Sequence, residues 1–402
     1  MKLIADLHIH SRFSRATGHE MDVEWLDKYA GLKGISVLGT GDFTHPGWLE
    51  GLKEKLSPDG NGLFRFGKTQ FILSAEVSLI FNTKSGLKRI HLVLLAPDFK
   101  TVEKINKVLS AYGNLYSDGR PTLSVSAEEA VRIMMDISDR CMAIPAHAWT
   151  PWFSVFGSHF GFDRLEECFG KQTKHIRALE TGLSSDPEMN RRWSALDNIT
   201  MVSNSDAHSP IKIGREANVF DIEPSFDAIT GAIKNPGGKF LYTIEFYPEE
   251  GKYHYDGHRI CKVCLPPEET RKKNGKCPVC GRIVTVGVMH RVELLADRKT
   301  PGKLPVGARK IIPLIEVIAE AMGKTDTAKA VTEEYFRLTS QCPEFAILLD
   351  LTEPELERLA GGRLAGGIMR MRKGEVKAIP GYDGEYGRIK VFVSQEQKGL
   401  FD

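Results

Sequence analysis

The sequence predicts an α/β protein: a parallel β/α domain over residues 1–250, a small cysteine-built module over 251–295, and a mainly helical, basic region over 296–402. Three observations carry that reading. Short apolar runs alternate with amphipathic stretches through the first 250 residues, the pattern of a parallel sheet wrapped by crossover helices. Histidines and carboxylates sit at the ends of the apolar runs, where the loops of such a sheet gather. Two Cys-x2-Cys pairs, Cys261/Cys264 and Cys277/Cys280, lie twelve residues apart, a metal-knuckle spacing.

The strand-like runs fall at 2–5, 35–40, 71–75, 92–95, 141–146, 176–179 and 200–204. The first leads into Asp6-Leu7-His8-Ile9-His10. The second precedes Asp42 and His45, and the third precedes Glu76. His91 stands beside the fourth, His147 follows the fifth, Glu180 follows the sixth, and Asp206-Ala207-His208 follows the last. Amphipathic stretches at 23–32, 127–135 and 187–196 read as helices, with Ser126 as N-cap of the second and Asp186-Pro187 as N-cap and first-turn proline of the third.

Residues two apart in a strand point to one face, so His8 and His10 can reach one site, as can Asp206 and His208. A lone histidine near a strand end is commonly a polar residue satisfied by backbone. Here six of the twelve histidines occupy such places together with carboxylates. That coincidence predicts a centre of two or three divalent metals, zinc, manganese or magnesium, because imidazole and carboxylate donors suit such ions and metals a few ångströms apart suit phosphate-ester hydrolysis. Glu180 reads as a residue that orients a ligand, with a bridging ligand as the alternative. His159, His175, His254, His258 and His290 lack this context and read as surface or structural residues.

Asp-Leu-His-Ile-His, Gly-Asp-Phe-Thr-His, Ser-Ala-Glu, Pro-Ala-His and Ser-Asp-Ala-His resemble the ordered motifs of the PHP (polymerase and histidinol phosphatase) phosphoesterases. The resemblance implies a distorted seven-stranded β/α barrel with a multinuclear site at the strand C-termini. It implies metal ligands at His8, His10, Glu76, His91, His147, Asp206 and His208, with His8, His10, His147, Asp206 and His208 as catalytic residues. Asp42 or His45 fills the second motif, His45 being preferred.

The four cysteines Cys261, Cys264, Cys277 and Cys280 predict a closed zinc ribbon holding one structural zinc; two disulfides are the alternative, strained by the two-residue spacing. The net charge of +2 hides an asymmetry: residues 1–250 carry 28 basic and 32 acidic side chains, and residues 251–402 carry 26 and 20. The basic half suits a polyanion. With 42% hydrophobic residues, no run of eighteen apolar residues and no signal-peptide pattern, the chain reads as a cytoplasmic, nucleoid-associated monomer that is neither membrane-bound nor secreted.

Past the ribbon, helices are predicted over 313–322, 327–338 (with Asp326 as N-cap) and 352–359, the last ending at Gly361-Gly362. The segment 363–373 then sets Arg370, Arg372 and Lys373 beside glycine turns, an arrangement able to grip a DNA backbone. Barrel motifs, ribbon, the 366–374 segment and Ile379-Pro-Gly-Tyr-Asp-Gly-Glu-Tyr-Gly-Arg-Ile389 together resemble the endonuclease Q family across essentially the whole chain. That resemblance implies nicking of DNA 5′ to uracil, hypoxanthine, xanthine or abasic sites. Arg12 and Arg15 are candidates to clamp phosphate. Trp149, Trp152 and Phe153 are candidates for a pocket at an extruded base, and Asn114, Tyr116 and Ser117 for a loop that reads base edges. The tail Gln397–Asp402 resembles the start of a sliding-clamp-binding motif. A small-molecule phosphatase of the histidinol-phosphatase type needs neither ribbon nor basic region, and a noncatalytic DNA-binding protein needs no full ligand set.

Overall fold

The computed structural model describes residues 2–392. Seven strands make the distorted barrel: Lys2–Asp6, Val37–Gly39, Thr69–Thr83, Gly86–Ala96, Met142–Pro145, Ala178–Glu180 and Thr200–Val202. The first three pair in parallel, and so do the last two. Gly86–Ala96 runs antiparallel to both its neighbours, because a tight turn after Thr83 sends the chain straight back instead of through a helical crossover. Main-chain bonds link the remaining seams: Ala148 N–H donates to Glu180 O at 3.0 Å and Asp206 N–H to His8 O at 2.9 Å. Strands Ala217–Asp221, Phe240–Glu245 and Gly307–Lys310 extend the sheet beyond Lys2–Asp6.

Local chemistry sets the helix limits. Val23–Lys33 begins where Asp22 accepts from Trp25 N–H and ends at Gly34, whose φ of 83° suits a residue without Cβ. Ser126 caps Ala127–Ile137 as predicted, accepting from Glu129 N–H. The helix predicted over 187–196 is only one turn, Pro187–Asn190, capped by Asp186. Beyond it the buried Arg191 guanidinium binds the carbonyls of Leu196 and Ile199 and holds the chain in a tighter path.

In the C-terminal region Leu314–Met322 and Lys329–Thr339 form as helices, although Ala328 rather than Asp326 occupies the second N-cap. Thr352 and Glu355 form a capping box for Glu353–Arg372. Gly361, at φ 80° and ψ 156°, breaks that helix as predicted, but the chain then resumes as helix to Arg372. The basic segment is therefore a helical turn, not a glycine-linked loop. Among the described residues no helix is long and apolar enough to cross a membrane.

The parts predicted as separate are tied together. Arg291, in helix Val288–Leu295 beyond the ribbon, donates to Phe156 O at 2.9 Å and Phe162 O at 3.0 Å in the barrel loop that follows His147. The hairpin of Lys377–Ile379 and Arg388–Lys390 lies against the ribbon, where Tyr255 N–H donates to Gly381 O at 3.0 Å and Thr285 Oγ1 to Asp383 at 2.6 Å. The helical region is anchored to the barrel by a buried ion pair: Lys33 Nζ lies 2.9 Å from Glu344, both nearly inaccessible. Glu344 also accepts from Tyr335 OH and Leu314 N–H.

Lys33→Met leaves Glu344 buried without its cation, and breaking a buried pair from one side costs about 3–5 kcal/mol. Urea unfolding is expected to show that loss, and Lys33→Met with Glu344→Gln is expected to recover much of it; a single variant as stable as the parent would mean the pair does not anchor the region.

Candidate metal centre

The ligand-bearing residues converge on one site: His8, His10, His147, Asp206 and His208 lie just past strand ends, whereas Glu76 and His91 stand within the paired strands Thr69–Thr83 and Gly86–Ala96. Three occupy left-handed backbone that is uncommon outside glycine: Asp42 (φ 49°), His147 (φ 29°) and Asp206 (φ 48°). Such conformations persist only where surrounding contacts over-determine them, and here each turns a side chain back over the barrel mouth.

The ligand atoms fall into two groups, each with its members within 4.8 Å of one another: His8, His10, Glu76 and Asp206 in one, Glu76, His91 and His147 in the other. Glu76 belongs to both. Its Oε1 lies 2.8 Å from His91 Nδ1 and 3.2 Å from His147 Nε2, while its Oε2 lies 3.2 Å from His10 Nε2 and 3.6 Å from His8 Nε2. His208 stands beside the first group, its ring centroid 4.4 Å from that of His10.

Each imidazole of the first group is held from behind by a carboxylate. His8 Nδ1 lies 3.0 Å from Glu180, which also accepts from Asn204 Nδ2 and from His147 N–H. His10 Nδ1 lies 3.1 Å from Asp42, which accepts from Ser11 N–H at 2.6 Å, Ser11 Oγ at 2.7 Å and Ser14 Oγ at 2.9 Å. Such partners fix ring orientation and raise ligand basicity. Glu180 thus sits where an orienting residue must. Of the alternatives Asp42 and His45, the first orients His10 and the second lies outside both groups. His45 opens helix Pro46–Lys55 and stacks on Phe13 at 4.3 Å, so its ring faces an aromatic neighbour rather than the carboxylates.

The charges fit a cation. His8 Nε2 is buried, has no hydrogen-bond partner among the described residues, and faces carboxylate oxygens of Glu76 and Asp206 at 3.6 and 3.8 Å. Burial works against protonation of His8 and His10, but the surrounding carboxylates outweigh it and raise both well above the ordinary imidazole value. Burial would also raise Glu76 and Asp206; the imidazoles, with Arg120 for Glu76, hold both carboxyls low. Burial pushes His91 down to about 4, which leaves it neutral and able to ligate. A donor set of imidazoles and anionic carboxylates around a shared carboxylate fits divalent ions.

The rim residues divide. Arg12 and Arg15 are exposed at the mouth, and Arg15 pairs with Asp118 at 3.2 Å. Asn114 accepts from Tyr116 N–H, Ser117 Oγ bonds back to Asn114 O, and Tyr116 is 73% exposed. That loop is pressed onto the site, since a Cβ on Gly119 would fall 2.2 Å from Asp42 Oδ2. Its next residue, Arg120, is one that sequence reasoning missed. It donates to Glu76 Oε2 at 3.0 Å, and its only sequence signal is a basic residue closing the Asp118-Gly119 turn.

Trp149, predicted at the pocket, is buried and donates to Asn190 at 2.7 Å, so it belongs to the core. Trp152 is exposed and stacks on His159 at 4.0 Å, and Phe153 lies 4.7 Å from His91. Arg372 is spent on carbonyls of Ile347, Leu348 and Leu351, and Arg370 on Val391 O, so neither is free for DNA in this arrangement; Lys373 is exposed. In the ribbon, Cys261, Cys277 and Cys280 come together with His258, not with Cys264, whose Sγ points to Pro380 O at 3.9 Å.

A barrel of this topology with two imidazole–carboxylate groups sharing Glu76 defines a metal-dependent hydrolase of the PHP superfamily. A family described as PHP-associated matches residues 188–236. The crystal structure of the lesion-specific endonuclease from Pyrococcus furiosus superposes at a TM-score of 0.87 with 31% identity, covering 100% of both chains. Endonuclease Q in complex with a 27-mer duplex carrying an abasic lesion superposes at 0.88 with 32% identity over 98% of each chain. An uncharacterized protein of Bacillus subtilis is 28% identical over 97% of this chain and 99% of its own length. One of Methanocaldococcus jannaschii is 34% identical over 60% of this chain, and the match spans only 31% of that protein. The chain belongs to the endonuclease Q family.

Glu180→Gln and Asp42→Asn are each expected to lower metal affinity or activity by about 10–100-fold while leaving the fold intact. Metal titration with circular dichroism checks this, and unchanged affinity in both would deny them an orienting role.

Proposed function

We propose that this protein is a DNA repair endonuclease that hydrolyses the phosphodiester 5′ to a damaged nucleotide in duplex DNA, at deaminated bases or abasic sites. The observation that carries the reading is the Glu76-centred pair of ligand groups on a chain that matches a lesion-specific endonuclease over its full length. Likeness to an endonuclease Q bound to duplex DNA with an abasic lesion supports DNA as the substrate.

His8, His10, Glu76 and Asp206 would hold one divalent ion and Glu76, His91 and His147 another, with His208 beside the first. Such ions supply a nucleophile at neutral pH and positive charge at the phosphodiester oxygens. The chain's own residues do the rest. Glu180 and Asp42 keep the His8 and His10 rings facing the centre. Arg120, partly exposed at the edge of the groups, is placed to bind a non-bridging phosphate oxygen, as a planar guanidinium does well. Arg12 and Arg15 line the approach. Phe153, beside His91, and the exposed Trp152 next to it in sequence, stacked on His159, offer aromatic side chains for a base leaving the stack, and stacking of this kind tolerates many bases. The net positive charge of residues 251–402 favours association with a polyanionic duplex. The tail at 397–402, read as a clamp-binding segment, lies outside the described residues.

End-labelled duplexes carrying one abasic site, deoxyuridine or deoxyinosine are the test, beside an undamaged control. A single nick 5′ to the lesion, lost with chelator and restored by added divalent metal, is the expected result. Phosphate release from small monoesters with no cleavage of any duplex would favour a metabolic phosphatase instead.

A further inference from the structure

Strand Thr69–Thr83 pairs with Val37–Gly39 only through Gln70–Ile72, and Gly86–Ala96 pairs with Met142–Pro145 only through Leu92–Leu95. Beyond those rows the two run on together as an arm, paired residue for residue from Leu73 and Ala96 out to Thr83 and Gly86. Opposed residues share a face and successive ones alternate. Glu76, Ser78, Val93, His91 and Arg89 therefore lie on one face, since Glu76 stands opposite Val93 and Ser78 opposite His91. Arg89 projects from the same face as the ligand His91, about 7 Å further out along the arm.

Its surroundings are aromatic and hold no counter-charge. The guanidinium carbon lies over the Phe160 ring at 4.3 Å and the Phe153 ring at 5.5 Å. Phe153 lies 4.7 Å from His91, and its carbonyl accepts from His91 N–H at 3.1 Å, which fastens the loop after His147 to the arm. The rim arginines Arg12, Arg15 and Arg120 each have a carboxylate, in Asp22, Asp118 and Glu76. Half-buried Arg89 has none: among the described residues its guanidinium makes no hydrogen bond or ion pair, and its Nε is enclosed. A guanidinium keeps its charge at any working pH, and aromatic rings satisfy its plane but not its N–H donors. With the plane given to the rings, its free feature is the in-plane fork of donors, and the acceptor that matches such a fork is a phosphate or carboxylate.

We propose that Arg89, held between Phe153 and Phe160, binds a backbone phosphate of the nicked strand that neighbours the scissile one. This rests on the reading of the protein as a DNA endonuclease. The scissile phosphodiester belongs at the Glu76-centred groups, and Arg89 meets the same strand further along the arm. Phosphate contacts fix register and carry no base information, which suits an enzyme that accepts more than one lesion. The contact holds the backbone beside a nucleotide that has left the stack, where pairing no longer holds it. The two rings keep the guanidinium in place before DNA arrives, so little side-chain freedom is lost on binding.

Lesion-bearing duplexes with a single uncharged methylphosphonate, placed in turn at each phosphate flanking the scissile bond, test this with the full-length parent, Arg89→Met and Arg89→Lys. Methionine keeps an unbranched apolar stem between the rings, and circular dichroism and metal content check that fold and centre persist. At one flanking position the methylphosphonate is expected to weaken binding by the parent about 10–100-fold, the worth of a charge-assisted hydrogen bond. Arg89→Met is expected to bind the ordinary duplex weaker by a similar factor and to be indifferent to that methylphosphonate. Its slope of log affinity against log salt is expected to fall by about 1, and Arg89→Lys to recover part of the affinity. If Arg89→Met still responds to every methylphosphonate as the parent does, with the parent's salt slope, Arg89 only packs the loop and the proposal is overturned. A parent that nicks no lesion-bearing duplex at all overturns the endonuclease reading, and this proposal with it.

Discussion

Glu76 is the carboxylate on which the arrangement rests. It is fully buried, stands on the longest strand of the barrel, and offers one oxygen to His91 and His147 and the other to His8 and His10. Burying a carboxylate is unfavourable unless positive charge and hydrogen bonds compensate, and here several imidazoles and the Arg120 guanidinium crowd around it. The histidines in turn tolerate burial because of that carboxylate and of Glu180 and Asp42 behind them. The strands must bring these residues together, so the distortion of the barrel, with Gly86–Ala96 running antiparallel, serves to deliver His91 beside Glu76.

The damaged-DNA function depends on how the other parts meet this centre. Arg291 grips the carbonyls of Phe156 and Phe162, so the loop bearing Trp152 and Phe153 is held at both its ends, by His147 on one side and by the segment following the ribbon on the other. The proposed role of Trp152 and Phe153 at a damaged nucleotide would need such support, because a site loose by an ångström loses much of its selectivity. The hairpin at 377–390 lies against the ribbon, and the Lys33–Glu344 pair ties the helices to the barrel.

The ligand set was largely legible because each ligand follows or adjoins an apolar run and the two-residue period of a strand fixes which neighbours share a face, although Glu76 and His91 stand within strands that continue past them. The choice between Asp42 and His45 was not, since it turns on a left-handed backbone at Asp42 that places the carboxylate behind His10. Trp149 and Trp152 look alike in sequence, yet three positions separate a core residue bonded to Asn190 from an exposed one. Arg372 carries a charge that suggests DNA, but its guanidinium is bonded locally to the carbonyls of Ile347, Leu348 and Leu351. The Cys-x2-Cys spacing points to Cys264 rather than His258, because spacing alone does not say which face of a ladder a side chain takes. Arg120 lies three residues beyond Ser117, past the loop whose side chains suggest base reading.

The most direct measurement is the metal content per chain of the parent protein, Glu76→Ala and His91→Ala. If Glu76 joins two metal positions, Glu76→Ala loses metal from both, whereas His91→Ala loses metal from one and keeps the position of His8, His10 and Asp206. A Glu76→Ala protein that retains its full content, or loses no more than His91→Ala, would contradict a shared carboxylate at the heart of this centre.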